Sequence, residues 1–477
     1  MDLMLVVERS TFIPFAHHVV AQALARAVFA RRLTPDWARV HPDGYDLGGI
    51  ILSWQTPPNT ASPITPATNI LTAMQFSGWI NNASVECDIS TNTSTPTPSA
   101  TPVPNHSSCT LTTRIRFDIS PEARVKRLGG SLADVASESL ANLIDFQHQR
   151  LIGDLTRLAP LAALALRTNR PLRIAISGAS GLIGRALFEL LAVGGHDVIR
   201  LVRTHTVAPD EAFWQLPIAD SAGSIDSKKL EGLDALVHLA GESIASGRWT
   251  RRKRERIRAS RVEGTRLIAR ALAALDVRPS CMVMASGIHY YGDRGSEELT
   301  EASSLGSGFL AEVSREWEAA ADPARAANIR VAALRIGQVL SMRGGALPIF
   351  ERPFRLGLGP VFASGSQYWS WITLDDVLSV ITLAIATPDI QGPINTTAPV
   401  PATMGEFAQT LARILERPLF AKVPAWALRT LLGDMSEAVL TSTRAVPDRL
   451  RASTMSFQFP RIEAALRWEL GKPLRER

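Results

Sequence analysis

Three glycines at regular spacing could hold the phosphates of a nucleotide. Gly178, Gly181 and Gly184 stand three residues apart in ISGASGLIGRAL (176–187), after the apolar stretch 172–177 and before a helical pattern. Glycine permits a tight turn and a close backbone approach, and the first amides of the following helix can bind a pyrophosphate. The pattern therefore predicts a dinucleotide-binding turn. The alternative is a strand-to-helix turn whose glycines serve packing only.

The end of the next apolar stretch, DVIRLVR (197–203), indicates which dinucleotide would bind. An NAD site usually has an acidic residue at this place, because a carboxylate accepts hydrogen bonds from the adenosine ribose. This chain has Val202 and Arg203 instead. A guanidinium pairs well with a 2′-phosphate, so the position favours NADP(H). The alternative is a surface arginine at the end of a strand.

The composition excludes several classes of protein and site. The chain has 477 residues, 46% hydrophobic and 20% charged, which indicates two or three globular units of about 150 residues. Its longest apolar run, near 158–166, is much shorter than the ~20 residues that span a bilayer. Cys87, Cys109 and Cys281 lack CxxC spacing, and neither HExxH nor GxSxG occurs. Since the N-terminus MDLMLVVERS also differs from a signal peptide, we expect a cytoplasmic protein without a disulfide framework or metal site.

One segment accounts for the basic net charge of the chain. The formal net charge is +6, and Arg248 to Arg270 contains ten basic residues against Glu255 and Glu263. Apolar residues recur there at helical spacing, with the arginines elsewhere around the helix. A solvated basic face is the favoured interpretation. The alternative is a surface that binds a polyanion.

The pattern of predicted secondary structure changes near residue 170. Residues 91–110 are a low-complexity run of Ser, Thr, Pro and Asn, and alternating segments on either side predict antiparallel strands. A helical pattern covers about 132–166, and RTNRP (167–171) reads as a linker. From there to about Ala386, apolar strands alternate with helices, which indicates a doubly wound parallel sheet. The predicted domains are residues 1–166, 172–400 and 401–477, the last a small helical subdomain.

Many segments between Leu172 and Val400 resemble, in the same order along the chain, the NAD-dependent epimerase/dehydratase-like family. This family belongs to the extended or atypical short-chain dehydrogenases/reductases. The segments include ISGASGLIGRAL, LDALVHLAGESI, ASGIHYYGDRG, LRIGQVLSMRGGALP and WSWITLDDV, and the tail resembles the family's C-terminal domain of unknown function. The resemblance implies a Rossmann fold with Arg203 on the adenosine side, Ala285 and Ser286 near the nicotinamide, and Arg261 either at the cofactor or on a helix surface. It makes the basic segment a family feature, which argues against nucleic acid as a partner. The implied cofactor contacts are Gly178, Ser180, Gly181, Leu182, Ile183, Gly184, Ala240 and Gly241.

Two pieces of the N-terminal region resemble a polyketide cyclase-like (SRPBCC) domain. They are LTPDW at 33–37 and FQHQRLIGDL at 146–155. The resemblance implies an α+β helix-grip fold, in which a sheet wraps around a long helix and encloses an apolar cavity. The predicted fold class is thus a Rossmann-type α/β domain with a helical C-terminal subdomain, preceded by a helix-grip domain.

The usual acid and base of a short-chain reductase are missing from the sequence. That mechanism needs a tyrosine as proton donor and a lysine four residues later on the same helix face. The residues four positions after the four tyrosines are Gly49, Arg294, Gly295 and Ile372. By resemblance, Phe309 and Val313 in SGFLAEVSREWEAAA stand at the tyrosine and lysine positions. The chain is therefore expected to hold NADP(H) but not to follow the ordinary mechanism.

Two functional hypotheses remain open. In the first, the protein is an oxidoreductase or epimerase acting on an unidentified small molecule, with Ser286, Tyr290 and Tyr291 as catalytic candidates and Glu301 nearby. Aromatic packing is the alternative for the tyrosine pair. Trp369, Trp371 and Asp375 could border the substrate pocket or belong to the core.

In the second hypothesis, the Rossmann unit is a nucleotide-responsive binding module without turnover. RNA binding through residues 251–261 is a third, weaker possibility, and the oligomeric state is not predicted.

Overall fold

The computed structural model describes residues 5–24, 39–41, 44–46, 50–54, 74–78, 80–91, 108–119, 132–204, 206, 208–216, 223–245, 247–472 and 474. The chain divides into two compact units, Met1–Thr156 and Arg157–Arg477. The LTPDW segment and residues 92–107 of the low-complexity run lie outside the described residues. The expected domain boundaries at 166/172 and 400/401 stay predictions.

The described residues of the first unit form antiparallel strands and two helices. In chain order these are β1 (Leu5–Ile13), α1 (His17–Leu24), β2 (Arg39–His41), β3 (Gly44–Asp46), β4 (Ile50–Trp54), β5 (Met74–Gly78), β6 (Ile80–Thr91), β7 (Cys109–Ile119) and α2 (Leu132–Thr168), whose last residues belong to the second unit. One sheet has the order β1-β7-β6 and the other β2-β3-β4-β5. The antiparallel strands expected on both sides of the low-complexity run are confirmed. The helix-grip identity of this unit stays a prediction.

A buried histidine joins helix α2 to the β1-β7-β6 sheet. His148 Nε2 lies 2.9 Å from Thr113 Oγ1 on β7, and its Nδ1 lies 2.8 Å from Thr11 Oγ1 on β1. Burial lowers the pKa of His148 to about 4. The imidazole is therefore neutral at pH 7 and can both donate and accept a hydrogen bond between the two strands.

The second unit alternates strands and helices. It begins with β8 (Arg173–Ser177), α3 (Leu182–Val193), β9 (Asp197–Val202), β10 (Glu211–Gln215), β11 (Ser224–Ile225), β12 (Ala235–His238), α4 (Arg251–Ala273), β13 (Cys281–Gly287), β14 (Glu298–Leu299), α5 (Phe309–Ala319), α6 (Asp322–Ala326) and β15 (Arg330–Ile336). It continues with β16 (Gln338–Leu340), α7 (Leu347–Arg355), β17 (Gly359–Phe362), β18 (Tyr368–Trp369), β19 (Trp371–Thr373), α8 (Leu374–Ala386) and β20 (Gly392–Thr396). The last elements are β21 (Ala402–Thr403), α9 (Met404–Ile414), β22 (Leu419–Val423), α10 (Ala425–Leu432), α11 (Glu437–Leu440), β23 (Arg444–Ala445), α12 (Asp448–Arg451) and α13 (Ile462–Glu469).

Eight strands of this unit form one doubly wound, Rossmann-type sheet. Their order is β11-β10-β9-β8-β12-β13-β15-β20, and every pair except β10–β11 is parallel. From β8 the chain moves outward to β9, and later returns to place β12 on the other side of β8. Ligands of such sheets bind at the carboxyl ends of the strands where the order reverses. The topology therefore puts the expected cofactor crevice above β8 and β12.

The central strands are apolar because helices cover them. All four residues of β12 and the first six of β13 are buried. Residues of α4 and α5, including Ile268, Leu272 and Trp317, share a core cluster with these strands. Parallel sheets with both faces covered favour continuous apolar runs over alternation.

Across the described part of the chain, no helix has the length and apolar character needed to cross a membrane.

The C-terminal segment is attached to the start of α8 by a buried carboxylate. Asp376 accepts hydrogen bonds from Thr373 Oγ1 (2.9 Å) and from the backbone amides of Gln458 (2.8 Å) and Phe459 (3.3 Å). These contacts join residues 82 and 83 positions apart in the chain. Burial raises the pKa of Asp376 above its ordinary value.

We expect the second unit to lose stability as the pH falls below about 6.5, because it contains a fully buried neutral histidine. His238 is 0% exposed, its Nδ1 lies 2.5 Å from Ser177 Oγ, and burial lowers its pKa to about 4. The unfolded chain, with a pKa near 6.5, binds the proton more readily, so the contribution of this group declines between pH 6.5 and pH 4. The loss expected from His238 alone between pH 7 and pH 5 is about 2 kcal/mol.

Urea denaturation of the wild type and of His238→Asn at both pH values measures this effect. Asparagine does not titrate and keeps a polar atom toward Ser177, so the variant should lose about 2 kcal/mol less than the wild type over the same interval. Equal losses in the two proteins would show that His238 does not cause the pH dependence.

Candidate functional site

The glycine turn after β8 is built from backbone approaches that no larger residue permits. Gly178 has φ +75°, and a Cβ there would lie 2.8 Å from the backbone nitrogen of Ala240. A Cβ on Gly184 would lie 2.1 Å from the carbonyl oxygen of Gly178. The Gly181 amide donates to that same carbonyl oxygen at 3.0 Å, which closes the turn. The first and third glycines therefore bring β8, α3 and the end of β12 together.

The first turn of α3 fits an anionic group. The helix begins at Leu182, and the residue before it, Gly181, caps it without a side-chain hydrogen bond. The first amides of a helix have no acceptor within the helix, and the helix dipole adds positive charge there. Ser180 and Gly181 are exposed, and Leu182 and Ile183 are partly exposed. The predicted contacts thus surround an accessible helix N-terminus beside the crevice, which suits a pyrophosphate.

Arg203 lies directly after β9, the strand next to β8 in the sheet. Its side chain is exposed, and no ion pair involves it within the described residues. The residue thus lies at the carboxyl end of β9, with an exposed guanidinium.

Ala240 and Gly241 follow β12, and the guanidinium of Arg261 lies against Gly241. Its central carbon is 3.6 Å from the place a Cβ on Gly241 would take, and its Nη1 donates to the carbonyl oxygen of Glu242 at 2.9 Å. Burial lowers the pKa of Arg261 to about 10. The same guanidinium lies 5.0 Å from the ring centre of Trp317. Arg261 therefore packs at the carboxyl end of β12 rather than on an outer helix surface.

The carboxyl ends of β13, β15 and β20 carry a connected row of buried polar residues. Ser286, Arg335 and Asn395 are neighbours across the three strands. Ser286 Oγ donates to Glu318 Oε1 at 2.8 Å, and Arg335 forms a two-pronged ion pair with Glu318 at 2.8 and 2.9 Å. Tyr291 donates its hydroxyl proton to Asn395 Oδ1 at 2.6 Å and accepts from Arg335 Nη1 at 2.9 Å. Two of the predicted catalytic residues, Ser286 and Tyr291, therefore donate their hydroxyl protons to Glu318 and Asn395.

The two adjacent tyrosines have different surroundings. Tyr291 is 0% exposed, and burial raises the pKa of its hydroxyl. Tyr290 is partly buried, and the guanidinium of Arg335 lies 3.5 Å from the centre of its ring. In the described part of the chain, the Tyr290 hydroxyl makes no hydrogen bond. Glu301 lies nearby and accepts from the backbone amide of Asn395 at 3.0 Å.

Helix α5 carries Phe309 and Val313, the residues expected at the tyrosine and lysine positions. Phe309 is its first residue and is partly buried, and Val313 is 3% exposed. An open groove of about 300 Å³ lies beside Phe309. Arginines in its wall are paired with carboxylates, such as Arg254 with Asp434 at 2.7 Å. The groove lining is Trp249, Arg251, Arg254, Glu255, Arg258, Phe309 and Asp434.

The residues proposed as a pocket border are core residues. Trp369 and Trp371 are 5% and 1% exposed. Asp375 accepts a hydrogen bond from Trp468 Nε1 at 3.1 Å, and Thr373 caps α8. The structure thus agrees with the alternative in which a core strand leads into a helix cap.

Sequence reasoning did not find Glu318, Arg335, Asn395 or His289. The first three are far apart in the chain, and Ser286 reaches Glu318 across 32 positions. Their meeting depends on strand register, which no local spacing indicates. His289 is different, since it lies in the ASGIHYYGDRG segment and could have been considered there. Among the described residues, no group of three or more His, Cys, Asp or Glu side chains could hold a metal ion.

Two parts of the chain match known protein families. Residues 174–395 match the NAD dependent epimerase/dehydratase family, and residues 423–469 match a domain of unknown function, DUF1731. The chain is 36% identical over 301 residues to the epimerase family protein Mb2239 of Mycobacterium bovis, covering 63% of this chain and 98% of that protein.

Two solved structures extend the comparison. A nucleoside-diphosphate sugar epimerase from Corynebacterium glutamicum is 29% identical, with a TM-score of 0.69 over 98% of this chain and 90% of that one. The human epimerase family protein SDR39U1 (isoform 2), solved with NADPH, is 31% identical, with a TM-score of 0.56 over 63% of this chain and 99% of that one. Together with the Rossmann sheet and its glycine turn, these matches show that the chain belongs to the NAD-dependent epimerase/dehydratase family, an NAD(P)-binding family of the short-chain dehydrogenase/reductase superfamily.

Proposed function

We propose that the protein is an NADP(H)-binding oxidoreductase or epimerase-like enzyme that acts on a small molecule without a Tyr-x-x-x-Lys pair. The observation that carries the proposal is the accessible N-terminus of α3, which has no side-chain cap and lies beside the crevice because of the glycine turn. The nicotinamide of a bound cofactor would accept or supply a hydride. The residues proposed to hold the cofactor are Gly178, Ser180, Gly181, Leu182, Ile183, Gly184, Arg203, Ala240, Gly241 and Arg261.

Preference for NADP(H) over NAD(H) is proposed on the basis of Arg203. The guanidinium is exposed at the end of β9, where an NAD site would present a carboxylate. The human relative with 31% identity was solved with NADPH, which supports the same preference.

The catalytic proposal distributes roles among the predicted residues. Tyr290 keeps a hydroxyl that can donate a hydrogen bond to a substrate. Ser286 and Tyr291 would act indirectly, because their protons are donated to Glu318 and Asn395. These two residues hold the polar row beneath the site rather than exchange protons with a substrate.

Replacing Arg203 with alanine is expected to weaken NADPH binding about 10- to 100-fold, because a charge-assisted contact with the 2′-phosphate is lost. NADH binding should change less than threefold. Titration of wild type and variant with each nucleotide, followed by nicotinamide fluorescence, measures both. Arg278→Ala is the control, since Arg278 is also exposed but lies away from the carboxyl edge of the sheet, before β13. An unchanged NADPH affinity in Arg203→Ala would contradict the proposed cofactor preference.

A second candidate function is a nucleotide-responsive binding module without turnover. The observation that favours it is α5, where Phe309 and Val313 offer neither an acid nor a cation. A screen of NADPH oxidation with sugars, nucleotide sugars, aldehydes and quinones separates the two functions. Turnover of any class supports the enzyme, and micromolar NADPH binding without turnover across the panel supports the module.

The partner is proposed to be a small molecule and not a nucleic acid. Four arginines of α4 are already paired with carboxylates: Arg251 with Glu255, Arg254 with Asp434, Arg256 with Glu242 and Arg258 with Glu316. These carboxylates reduce the positive potential that would attract a phosphate backbone. A cytoplasmic location is likewise proposed, from the sparse cysteines without CxxC spacing.

A further inference from the structure

The alternation of side chains along β13 determines which residue can face the cofactor crevice. Successive residues of a strand point to opposite faces of the sheet. Ser286 points toward Glu318 and is 4% exposed. Residue 287 must therefore point the other way, and its backbone is extended, with φ −138° and ψ 149°. That residue is Gly287, which has no side chain to offer.

The space in front of Gly287 is occupied by the imidazole of His289. The place that a Cβ on Gly287 would take lies 3.4 Å from His289 Nδ1. A short 3₁₀ turn, Ile288–Tyr291, begins directly after β13 and brings the ring back over the strand end. His289 thus supplies a polar side chain at a position where the strand itself supplies none.

The neighbours of His289 place it close to the carboxyl end of β12. Its pKa is lowered to about 4, mainly by burial and further by the positive charge of Arg261. Arg261 in turn lies against Gly241, at the end of β12. The imidazole is therefore neutral at pH 7, and within the described residues its ring nitrogens make no hydrogen bond.

The other candidate groups lie against the polar row at the ends of β13, β15 and β20. Tyr290 stacks under Arg335, which is the sheet neighbour of Ser286. Ser286 and Tyr291 donate their protons to Glu318 and Asn395. His289 stands instead between the ends of β12 and β13, beside Gly287 and Arg261.

We infer that His289 is a catalytic acid–base residue of this site and exchanges a proton with the oxygen of a substrate hydroxyl or carbonyl group. The inference rests on the proposed function, because it requires a nicotinamide cofactor in the crevice. In the oxidative direction, a bound oxidised NADP would accept the hydride that leaves the alcohol carbon when its carbon–hydrogen bond breaks. The hydroxyl proton passes to the unprotonated ring nitrogen of His289 as the carbonyl product forms. The imidazolium later releases the proton to water. The reductive direction is the reverse.

Chemical footprinting tests this placement without a known substrate. Diethyl pyrocarbonate acylates neutral, accessible imidazole nitrogens, and peptide mass spectrometry gives the rate at each histidine. At pH 6.5, saturating NADPH is expected to slow acylation of His289 at least fivefold. Adenosine 2′,5′-bisphosphate, which lacks the nicotinamide half, should leave that rate within twofold. His18, an exposed histidine of the first unit, is the internal control and should react equally in all samples.

NADPH binding, followed by nicotinamide fluorescence in the same samples, separates the possible outcomes. Bound NADPH without protection of His289, or equal protection by the bisphosphate, overturns the inference and leaves the proposed function standing. Absence of NADPH binding overturns the proposed function and the inference together.

A variant gives a second readout for His289. His289→Gln should keep its NADPH affinity within threefold. On any substrate that the wild type turns over, it should lower kcat at least 100-fold, because the acid–base group is gone. A kcat within threefold of the wild type would also overturn the inference.

Discussion

The Gly184→Ala variant is expected to bind NADPH at least 100-fold more weakly than the wild type and to lower the free energy of unfolding by about 3 kcal/mol. The added methyl group would lie 2.1 Å from the carbonyl oxygen of Gly178 and 2.9 Å from Cα of Ala179. Both are backbone atoms, so no side-chain rotation can relieve the clash. Helix α3 must move away from the turn, which removes its first amides from the pyrophosphate position.

Gly181→Ala is the matched control within the same turn. Its Cβ would lie 3.3 Å from the Gly178 oxygen, and its φ of −75° suits any residue. We expect a loss of less than about 1 kcal/mol in the free energy of unfolding. Fluorescence titration with NADPH and urea denaturation give both quantities for the two variants. Equal behaviour of the two variants would show that the close approach at Gly184 does not hold the turn together.

Arg335→Met is expected to lower the free energy of unfolding by about 3–5 kcal/mol, because it leaves a carboxylate without its partner in a mostly buried place. Arg335 is 3% exposed, and Glu318 has 14% of its side chain exposed. The substitution removes both prongs of the ion pair and the hydrogen bond to Tyr291. Urea denaturation measures the loss.

The chain contains a surface pair of the same geometry that serves as control. Arg258 forms a two-pronged pair with Glu316 at 2.6 and 2.8 Å, but its side chain is 60% exposed. Arg258→Met should cost less than about 1 kcal/mol, since solvent screens exposed pairs. The double variant Glu318→Gln, Arg335→Met should lose less than the two single losses added together. A cost below about 1 kcal/mol for Arg335→Met would contradict the assigned role of the pair.

The sequence by itself determined the class of the fold and the place of the glycine turn. The spacing of Gly178, Gly181 and Gly184 after an apolar stretch is a local pattern, and glycine is required there for local steric reasons. The alternation of apolar strands and helices after residue 172 is also local, and it leads to the parallel sheet because helical crossovers favour that arrangement. The lack of Tyr-x-x-x-Lys needed only an inspection of the tyrosines.

Only the tertiary structure decided what the polar residues near the proposed nicotinamide position do. Ser286 was selected from its motif, but the pleat of β13 and the pairing with β15 direct it to Glu318 and Arg335. The same pleat leaves Gly287 facing the other side, where the 3₁₀ turn places His289. These contacts depend on register between strands that are separated by many residues. Sequence periodicity gives the face of a strand relative to its own neighbours, whereas the partner on that face is set by packing across the whole sheet.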